Sequence, residues 1–96
     1  MKKATGPTAK RRAAKKRKAD AEYRRNSLMV RERDGELCRF CGRPASEVHH
    51  IQPRSLGVNH GTDNLVCLCG ICHRDVHGKR LTISGNADNL LVFDLR

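Results

Sequence analysis

Aromatic side chains are scarce in this sequence, which has no tryptophan, one tyrosine and two phenylalanines among 96 residues. Proteins that bind single-stranded nucleic acid without sequence preference stack its bases on aromatic side chains. The three aromatic residues therefore exclude an extended stacking platform of that kind. No apolar run approaches the length needed to cross a membrane. The basic N-terminus lacks an apolar segment, so no secretory signal is expected.

The length allows one small domain, and domains of this size usually need an additional stabilising element such as a bound metal. Five cysteines and five histidines are many for a chain this short. Without a secretory signal we expect a cytoplasmic location, which is the bacterial host cytoplasm if the protein is encoded by a phage. In a reducing compartment, paired cysteines bind metals or act in catalysis more often than they form disulfides.

The formal net charge of +10 is concentrated at the N-terminus, because residues 1–25 hold eleven basic and two acidic side chains while the rest is nearly neutral. A basic segment attached to a neutral domain indicates a polyanionic partner, most often nucleic acid. A solubilising tail and a nuclear-import signal are the alternatives. The basic side chains expected to contact DNA in this segment are Lys10, Arg11, Arg12, Lys15, Lys16, Arg17, Lys18, Arg24 and Arg25.

The sequence divides into a basic arm at residues 1–26, expected to be largely disordered, and a folded domain at residues 27–96. Residues 1–18 lack the apolar side chains needed for a core. From Ala19 to about Asp34 the composition favours a helix, with a weak apolar face formed by Tyr23, Leu28, Met29 and Val30. The domain is predicted to contain strands at 47–51, 65–68, 81–84 and 90–95, the last two joined through a turn at Gly85-Asn86. A short helix is predicted at 70–77 and ends at Gly78.

Two CxxC pairs are the strongest local signal: Cys38 and Cys41 form the first pair, and Cys69 and Cys72 the second, with 27 residues between the pairs. Four thiolates in two such pairs match a closed, tetrahedral structural zinc site. Cys67 lies in an apolar run and is interpreted as a small buried hydrophobic residue. Replacement of Cys69 by Cys67 as a ligand stays open, although the spacing of Cys67 from Cys72 is less suitable.

Four histidines form a second constellation. His73 and His77 are four residues apart and share one face of a helix, which suits two imidazoles that bind one ion. His49 and His50 are adjacent, so on a regular strand their side chains point to opposite faces and only one of them can join that ion. The other is then available to accept a proton from water. Taken alone, these histidines fit a nuclease and a binding module about equally.

The order of these motifs resembles the HNH endonuclease family in its cysteine-flanked form, and compact chains of this kind are similar to the stand-alone HNH proteins of bacteriophages. The resemblance implies an α+β fold: a small ββα-metal domain of the treble-clef type with a structural zinc. The residues that carry it are Arg33-Asp34-Gly35, the four cysteines of the two pairs, His49-His50-Ile51, Pro53-Arg54-Ser55, Asp63-Asn64-Leu65-Val66, Leu68, His73 and His77-Gly78.

The resemblance also implies roles for individual residues. His50 matches the general base, and His49 matches the metal ligand that precedes it. Asn64 matches the middle asparagine, which braces the loop and orients the base. His73 matches the second metal ligand, and His77 matches the last histidine, which is a third ligand or a phosphate contact.

The activity implied by the resemblance is hydrolysis of phosphodiester bonds in double-stranded DNA with one catalytic divalent ion, by nicking or by double-strand cleavage. Mg²⁺, Mn²⁺, Ni²⁺, Co²⁺ and Zn²⁺ all remain candidates for that ion, although imidazoles bind Mg²⁺ weakly. Arg54 is a candidate phosphate contact, with an ordinary exposed arginine as the alternative. Glu47 either orients a neighbouring arginine or histidine or is a solvated carboxylate.

Two further consequences concern partners and the competing function. The similarity to phage proteins suggests phage packaging proteins as protein partners, and no membrane partner is expected. The alternative function is a non-catalytic, zinc-stapled module that binds DNA or RNA. A pure binding module has no need of His49, His50, His73 and His77 together.

Overall fold

A computed structural model of the chain describes residues 7–53 and 56–96, with the side chains of the first helix described from residue 17 onward. In chain order the elements are helix α1 (Pro7–Arg33), strands β1 (Glu47–His50) and β2 (Leu65–Leu68), helix α2 (Gly70–His77), and strands β3 (Leu81–Gly85) and β4 (Leu91–Leu95). The predicted α+β class is confirmed, and the strands and α2 lie within one residue of their predicted bounds.

Helix α1 begins at Pro7, twelve residues earlier than the start predicted at Ala19. The difference has a physical reason, since alanine, lysine and arginine are strong helix formers even where they cannot build a core. Proline at the first helical position also has the backbone angle that a helix needs. The helix continues across the predicted boundary between arm and domain. No described helix, including this one, is long and apolar enough to span a bilayer.

The C-terminal half of α1 packs on the β1–β2 hairpin through Val30, which is fully buried, and through Tyr23, which is partly buried. Leu28 and Met29, predicted to share this apolar face, are 69% and 54% exposed. The helical period explains the difference, because residues 23 and 30 are two turns apart on one face while 28 and 29 point away from it. The face of α1 that contacts the β1–β2 hairpin is therefore narrower than the composition suggested.

The hairpin is antiparallel, with Glu47 opposite Leu68 and His50 opposite Leu65. Alternate residues of a strand point to opposite faces, and both faces of β2 are covered. Leu65 and Cys67 pack with Val30 of α1. Val66 and Leu68 pack against α2 and β3 on the other face. The order strand, strand, helix is the predicted ββα arrangement, and it places one face of β1 toward α1 and the other toward α2.

Asp34 joins three parts of this fold although its side chain has no exposed surface. Its carboxylate accepts hydrogen bonds from Arg33 at the end of α1, from Arg39 in the loop that follows, and from the backbone N–H of Cys67 in β2. Burial alone would raise the pKa of Asp34, but these hydrogen bonds, led by the one from Arg33, hold it below its usual range. The carboxylate is therefore ionised and paired at neutral pH.

Strands β3 and β4 form a second antiparallel hairpin, from Leu81 opposite Leu95 to Gly85 opposite Leu91. Gly85 has φ of +97°, and a Cβ atom there would collide with the carbonyl oxygen of Leu90. The predicted turn at Gly85-Asn86 is thus a position where only glycine fits. Leu81 and Phe93 of this hairpin pack in the same hydrophobic cluster as Cys72 and Val76 of α2.

Candidate active site

The two CxxC pairs meet in space. The ligand atoms of Cys38, Cys41, Cys69 and Cys72 all lie within 4.8 Å of one another. The Sγ atoms of Cys41 and Cys69, one from each pair, are 3.5 Å apart. Four sulfur atoms at this separation fit a tetrahedral zinc ion with Zn–S bonds of about 2.3 Å. The donor set is therefore compatible with the predicted structural zinc.

Backbone N–H groups prepare the sulfur atoms for metal binding. The first pair sits in a tight turn closed by the Gly42 N–H, which donates to the carbonyl of Cys38 at 2.9 Å. In the second pair the N–H of Cys72 points at the sulfur of Cys69, which caps the start of α2. Burial opposes ionisation of Cys38, but N–H groups of Cys41, Cys69 and Phe40 outweigh it and lower the pKa of this thiol to about 6.

Cys67 lies on the opposite face of β2 from this cluster, among the side chains that pack against α1. Burial, together with the neighbouring Asp34 carboxylate, raises the pKa of its thiol to about 11. A thiol that stays protonated at neutral pH is a poor metal ligand. The geometry thus resolves the alternative left open by the sequence, because Cys69 and not Cys67 joins the cluster.

Three of the predicted histidine ligands converge where β1 faces α2. The ring of His49 is 5.4 Å from that of His73 and 6.3 Å from that of His77, measured between ring centroids. His73 and His77 are closer, with centroids 4.4 Å apart. Among the described residues, the four cysteines are the group whose potential metal-ligand atoms all lie within 4.8 Å of one another. The ligand atoms of the three histidines, taken as a set, are farther apart than those of the cysteines.

The contacts of His73 determine which of its nitrogens faces the other histidines. Its Nδ1 is 2.8 Å from Oε2 of Glu47 on β1, so the Nδ1–H donates to the carboxylate. Its Nε2 then carries the lone pair and lies 3.1 Å from Nε2 of His77. Two nitrogens on one tetrahedral ion with bonds of 2.0–2.1 Å would be about 3.3 Å apart. The His73–His77 pair therefore fits a shared ion, and Glu47 contacts a histidine, one of the two alternatives for this residue.

His49 is suited to metal binding by its surroundings. Burial, followed by the nearby imidazoles of His73, His77 and His50, lowers the pKa of His49 to about 4. The ring is therefore neutral at physiological pH and keeps a nitrogen lone pair for a ligand bond.

His50 occupies the other face of β1, as strand alternation predicts. Its ring stacks on Tyr23 of α1 at a centroid distance of 5.3 Å and an interplanar angle of 16°. Its Nε2 lies 3.0 Å from Nδ1 of His60, the fifth histidine of the chain. Sequence analysis did not single out His60, because a lone histidine in a glycine-rich loop belongs to no periodic pattern.

A cleft of about 450 Å³ lies at the end of β1 and is lined by residues of β1, of the segment after it and of α2. Because His50 is the last residue of β1, it borders this cleft together with His49, although their rings point to different sides. The cleft is large enough for a phosphate group and water, and the residues around it include His49, His50, Pro53, His73, His77 and Lys79.

Asn64 is 6% exposed and braces the loop between β1 and β2. Its Oδ1 accepts from the N–H of Gln52 at 2.8 Å, and its Nδ2 donates to the carbonyl of Asn59 at 2.9 Å. Its own carbonyl accepts from the N–H of Ile51, directly after His50. These contacts connect both ends of the loop to the strand that carries the histidine pair.

The predicted DNA-contacting side chains are described only in part. Arg17, Lys18, Arg24 and Arg25 are exposed on α1. The side chains of Lys10, Arg11, Arg12, Lys15 and Lys16 lie outside the described residues, and so does Arg54.

Residues 38–79 match the family model described as HNH endonuclease. This part of the chain belongs to the HNH endonuclease family. The HNH segment contains both cysteine pairs, the hairpin with His49 and His50, and nearly all of the cleft. The resemblance drawn from the sequence motifs is thus confirmed.

Two curated proteins are similar to parts of this chain. One is the mitochondrial DNA mismatch repair protein mutS homolog of Sarcophyton glaucum, 39% identical in an alignment over 56 residues that covers 52% of this chain and 6% of that protein. The other is the type IV methyl-directed restriction enzyme EcoKMcrA of Escherichia coli strain K12, 53% identical over 36 residues, which are 38% of this chain and 13% of that protein. The chain thus covers a small part of both relatives. No solved structure matches the chain significantly.

Proposed function

We propose that this chain is a metal-dependent endonuclease that hydrolyses phosphodiester bonds in double-stranded DNA. The observation that carries the proposal is the cleft bordered by His49, His73 and His77 on one side of β1 and by His50 at its end. The cleft lies in a segment of the HNH endonuclease family. The similarity to a restriction enzyme supports the same conclusion.

In this proposal His49, His73 and His77 hold the catalytic ion, and the four cysteines hold a separate structural zinc. Three imidazole ligands suit Zn²⁺, Ni²⁺ and Co²⁺ better than Mg²⁺, which prefers oxygen ligands. When bound, the ion supplies positive charge beside the phosphate and the leaving oxygen. Glu47 orients the ring of His73 by accepting a hydrogen bond from its Nδ1.

The residues of the chain supply the proton transfer. His50 accepts a proton from a water molecule, whose oxygen then forms a bond to phosphorus while the bond from phosphorus to the 3′ oxygen breaks. The leaving 3′ oxygen takes up a proton from solvent water and becomes a hydroxyl, the other end keeps a 5′-phosphate, and protonated His50 returns its proton to solvent. Asn64 holds the loop beside His50 and limits its movement during the reaction.

The basic side chains of the predicted arm would bind the DNA backbone without sequence preference. Arg17, Lys18, Arg24 and Arg25 provide this charge on the described part of the helix, and Arg54 is a further predicted phosphate contact. Cleavage of one strand or of both, a cytoplasmic location and phage packaging proteins as partners stay predictions of the same proposal.

Relaxation of supercoiled plasmid tests the proposal. The wild-type chain, stripped of weakly bound metal and supplied in turn with Mg²⁺, Mn²⁺, Ni²⁺, Co²⁺ or Zn²⁺, should convert the plasmid to nicked or linear DNA with at least one ion. His50→Ala should slow cleavage about 10²- to 10⁴-fold without changing DNA binding, while the exposed-site control Ser84→Ala should keep full activity. Absence of cleavage by the wild type with all five ions would leave a zinc-stapled DNA- or RNA-binding module.

A further inference from the structure

The chain leaves helix α2 through a lysine with unusual backbone geometry. Lys79 has φ of 61°, in the left-handed region, whereas the preceding residue, Gly78, has φ of −80° and ψ of 2°. Glycine is the residue usually found in the left-handed position after a helix, because a Cβ atom makes that conformation unfavourable. In this chain the glycine comes one position earlier, and a lysine takes the left-handed position.

Backbone hydrogen bonds hold Lys79 in this conformation. The N–H of Lys79 donates to the carbonyl of Val76 at 3.1 Å, and the N–H of Arg80 donates to the carbonyl of Asp75 at 2.8 Å. The last turn of α2 therefore fixes the direction in which the side chain of Lys79 leaves the backbone. A strained backbone that the surrounding structure holds in place is often found at functional sites, so this outlier indicates a role for the side chain.

Lys79 lines the cleft that the histidines border. Apart from imidazoles, its amine is the polar side-chain group among the described residues around the cleft, and none of these residues has a carboxylate. In the described chain no carboxylate forms an ion pair with Lys79, whereas the next residue, Arg80, lies 3.8 Å from Asp75. The lysine ammonium is a compact positive charge that binds phosphate oxygens well. Lys79 therefore has its charge available for an anion in the cleft.

The alternative is that Lys79 serves the end of the helix. A basic side chain near the C-terminus of a helix is favoured by the partial negative charge of the last carbonyl groups. The last turn of α2 already contains Arg74 and His77. The same charge effect requires no left-handed backbone, so it does not explain why lysine and not glycine stands at position 79.

We propose that Lys79 is a substrate-contacting residue of the cleft: its ammonium group binds a non-bridging oxygen of the phosphate that enters beside His49, His73 and His77. This inference rests on the proposed function and adds to it a positive charge supplied by the chain itself. Negative charge grows on the phosphate oxygens while water attacks phosphorus, and a cation held in place beside them stabilises that charge. No bond to Lys79 forms or breaks.

Three variants separate this role from a structural one. Lys79→Gly removes the side chain and also relieves the left-handed backbone, so it should not harm the fold. Lys79→Arg keeps the positive charge at the same position. Arg80→Gln is the matched control, because it removes a positive charge one residue away, at a side chain that is 77% exposed and is not among the described residues around the cleft.

Three measurements are made on each zinc-loaded, full-length protein. Thermal melts should give Lys79→Gly a melting temperature at least as high as that of the wild type. Titration with inorganic phosphate, followed by the backbone ¹H–¹⁵N NMR signals of residues 76–80, measures anion binding without cleavage. Lys79→Gly should weaken this binding about two- to fivefold, the range for loss of one exposed charge contact, while Lys79→Arg and Arg80→Gln keep the wild-type affinity. Single-turnover cleavage of plasmid DNA with saturating protein and metal should slow at least about tenfold in Lys79→Gly and remain near the wild-type rate in the other two variants.

Equal phosphate affinities of Lys79→Gly and the wild type would overturn the inference whether or not the chain cleaves DNA, and so would equal losses in Lys79→Gly and Arg80→Gln. A clearly lower melting temperature of Lys79→Gly would show that the lysine supports the fold and would overturn it as well. If the wild type cleaves and Lys79→Gly cleaves equally fast, the inference fails and the proposed function stays intact. If no ion supports cleavage by the wild type, the proposed function fails, and the phosphate titration still decides whether Lys79 binds an anion.

Discussion

Glu47 Oε2 lies 2.8 Å from His73 Nδ1, and this contact connects β1 to α2 beside the cleft. A carboxylate that accepts the second N–H of a metal-binding imidazole fixes the tautomer of the ring, and its removal typically costs 10- to 100-fold in metal affinity. The pair therefore gives a specific expectation for the proposed catalytic ion.

Glu47→Gln should weaken binding of Co²⁺ or Ni²⁺ to the histidine site by about 10- to 100-fold, as measured by titration calorimetry on protein that already carries its structural zinc. The matched control is Glu32→Gln on α1, which removes the same charge from an exposed position away from the cleft. Equal affinities of Glu47→Gln and the wild type would show that this carboxylate does not support a ligand.

The cysteine cluster predicts opposite outcomes for two cysteine substitutions. Cys38→Ser should lose the structural zinc and unfold the domain, because zinc binding supplies on the order of 10 kcal/mol of folding free energy in small zinc domains. Cys67→Ala should keep one zinc per chain and lose only about 1 kcal/mol of stability. Metal content by mass spectrometry and thermal melts check both. A Cys38→Ser protein with full zinc content and a cooperative melt would contradict the four-cysteine site.

Asp34 should be the most sensitive carboxylate for stability. Each oxygen of the Asp34 carboxylate accepts hydrogen bonds from two N–H donors. In Asp34→Asn an NH₂ group replaces one of these oxygens, so in either orientation of the amide two donors face another donor. Breaking a buried ion pair by removing one partner costs about 3–5 kcal/mol. Urea unfolding at neutral pH, with zinc present throughout, measures the change in the free energy of unfolding.

The control for this substitution is Asp88→Asn, which also affects an ion pair with Arg33. The side chain of Asp88 is 42% exposed, so its loss should cost less than about 1 kcal/mol. Similar losses of stability in the two variants would show that burial does not increase the contribution of the Asp34 contacts to stability.

Much of this arrangement follows from local sequence periodicity. The spacing of four between His73 and His77 predicted a shared helical face, and strand alternation predicted that His49 and His50 separate. The two CxxC pairs predicted the thiolate cluster. In each case the residues that lie together are close in sequence or belong to a repeated spacing, so the geometry of a helix, a strand or a CxxC pair predicts their contact.

Contacts between distant segments could not be predicted in this way. His60, whose Nδ1 lies 3.0 Å from Nε2 of His50, comes ten residues later in a loop without a regular period. The early start of α1 was also missed, because the search for an apolar face does not detect a helix formed by intrinsic propensity. Asp34 was recognised as part of a motif, but its contacts with Arg39 and Cys67 depend on the folded chain.

The exposed basic side chains of α1 predict a salt-dependent affinity for DNA. Each phosphate contact contributes about 0.9 to the slope of the logarithm of affinity against the logarithm of salt concentration. The double variant Arg17→Gln/Lys18→Gln should lower that slope by about two on duplexes of any sequence, while the control Arg43→Gln/Arg96→Gln changes two exposed arginines outside α1. Fluorescence anisotropy at several salt concentrations measures the slopes, and an equal decrease in both variants would argue against a specific role for α1.

The position of the catalytic ion is the most direct test of the central claim. Crystals of the zinc-loaded protein soaked with Mn²⁺ or Co²⁺ should show, at the absorption edge of the added metal, one anomalous peak between His49, His73 and His77, apart from the zinc at the four cysteines. Soaked crystals of His73→Ala should lose that peak and keep the zinc. An added metal that appears only at the cysteines, or at a place away from the three imidazoles, would contradict the account.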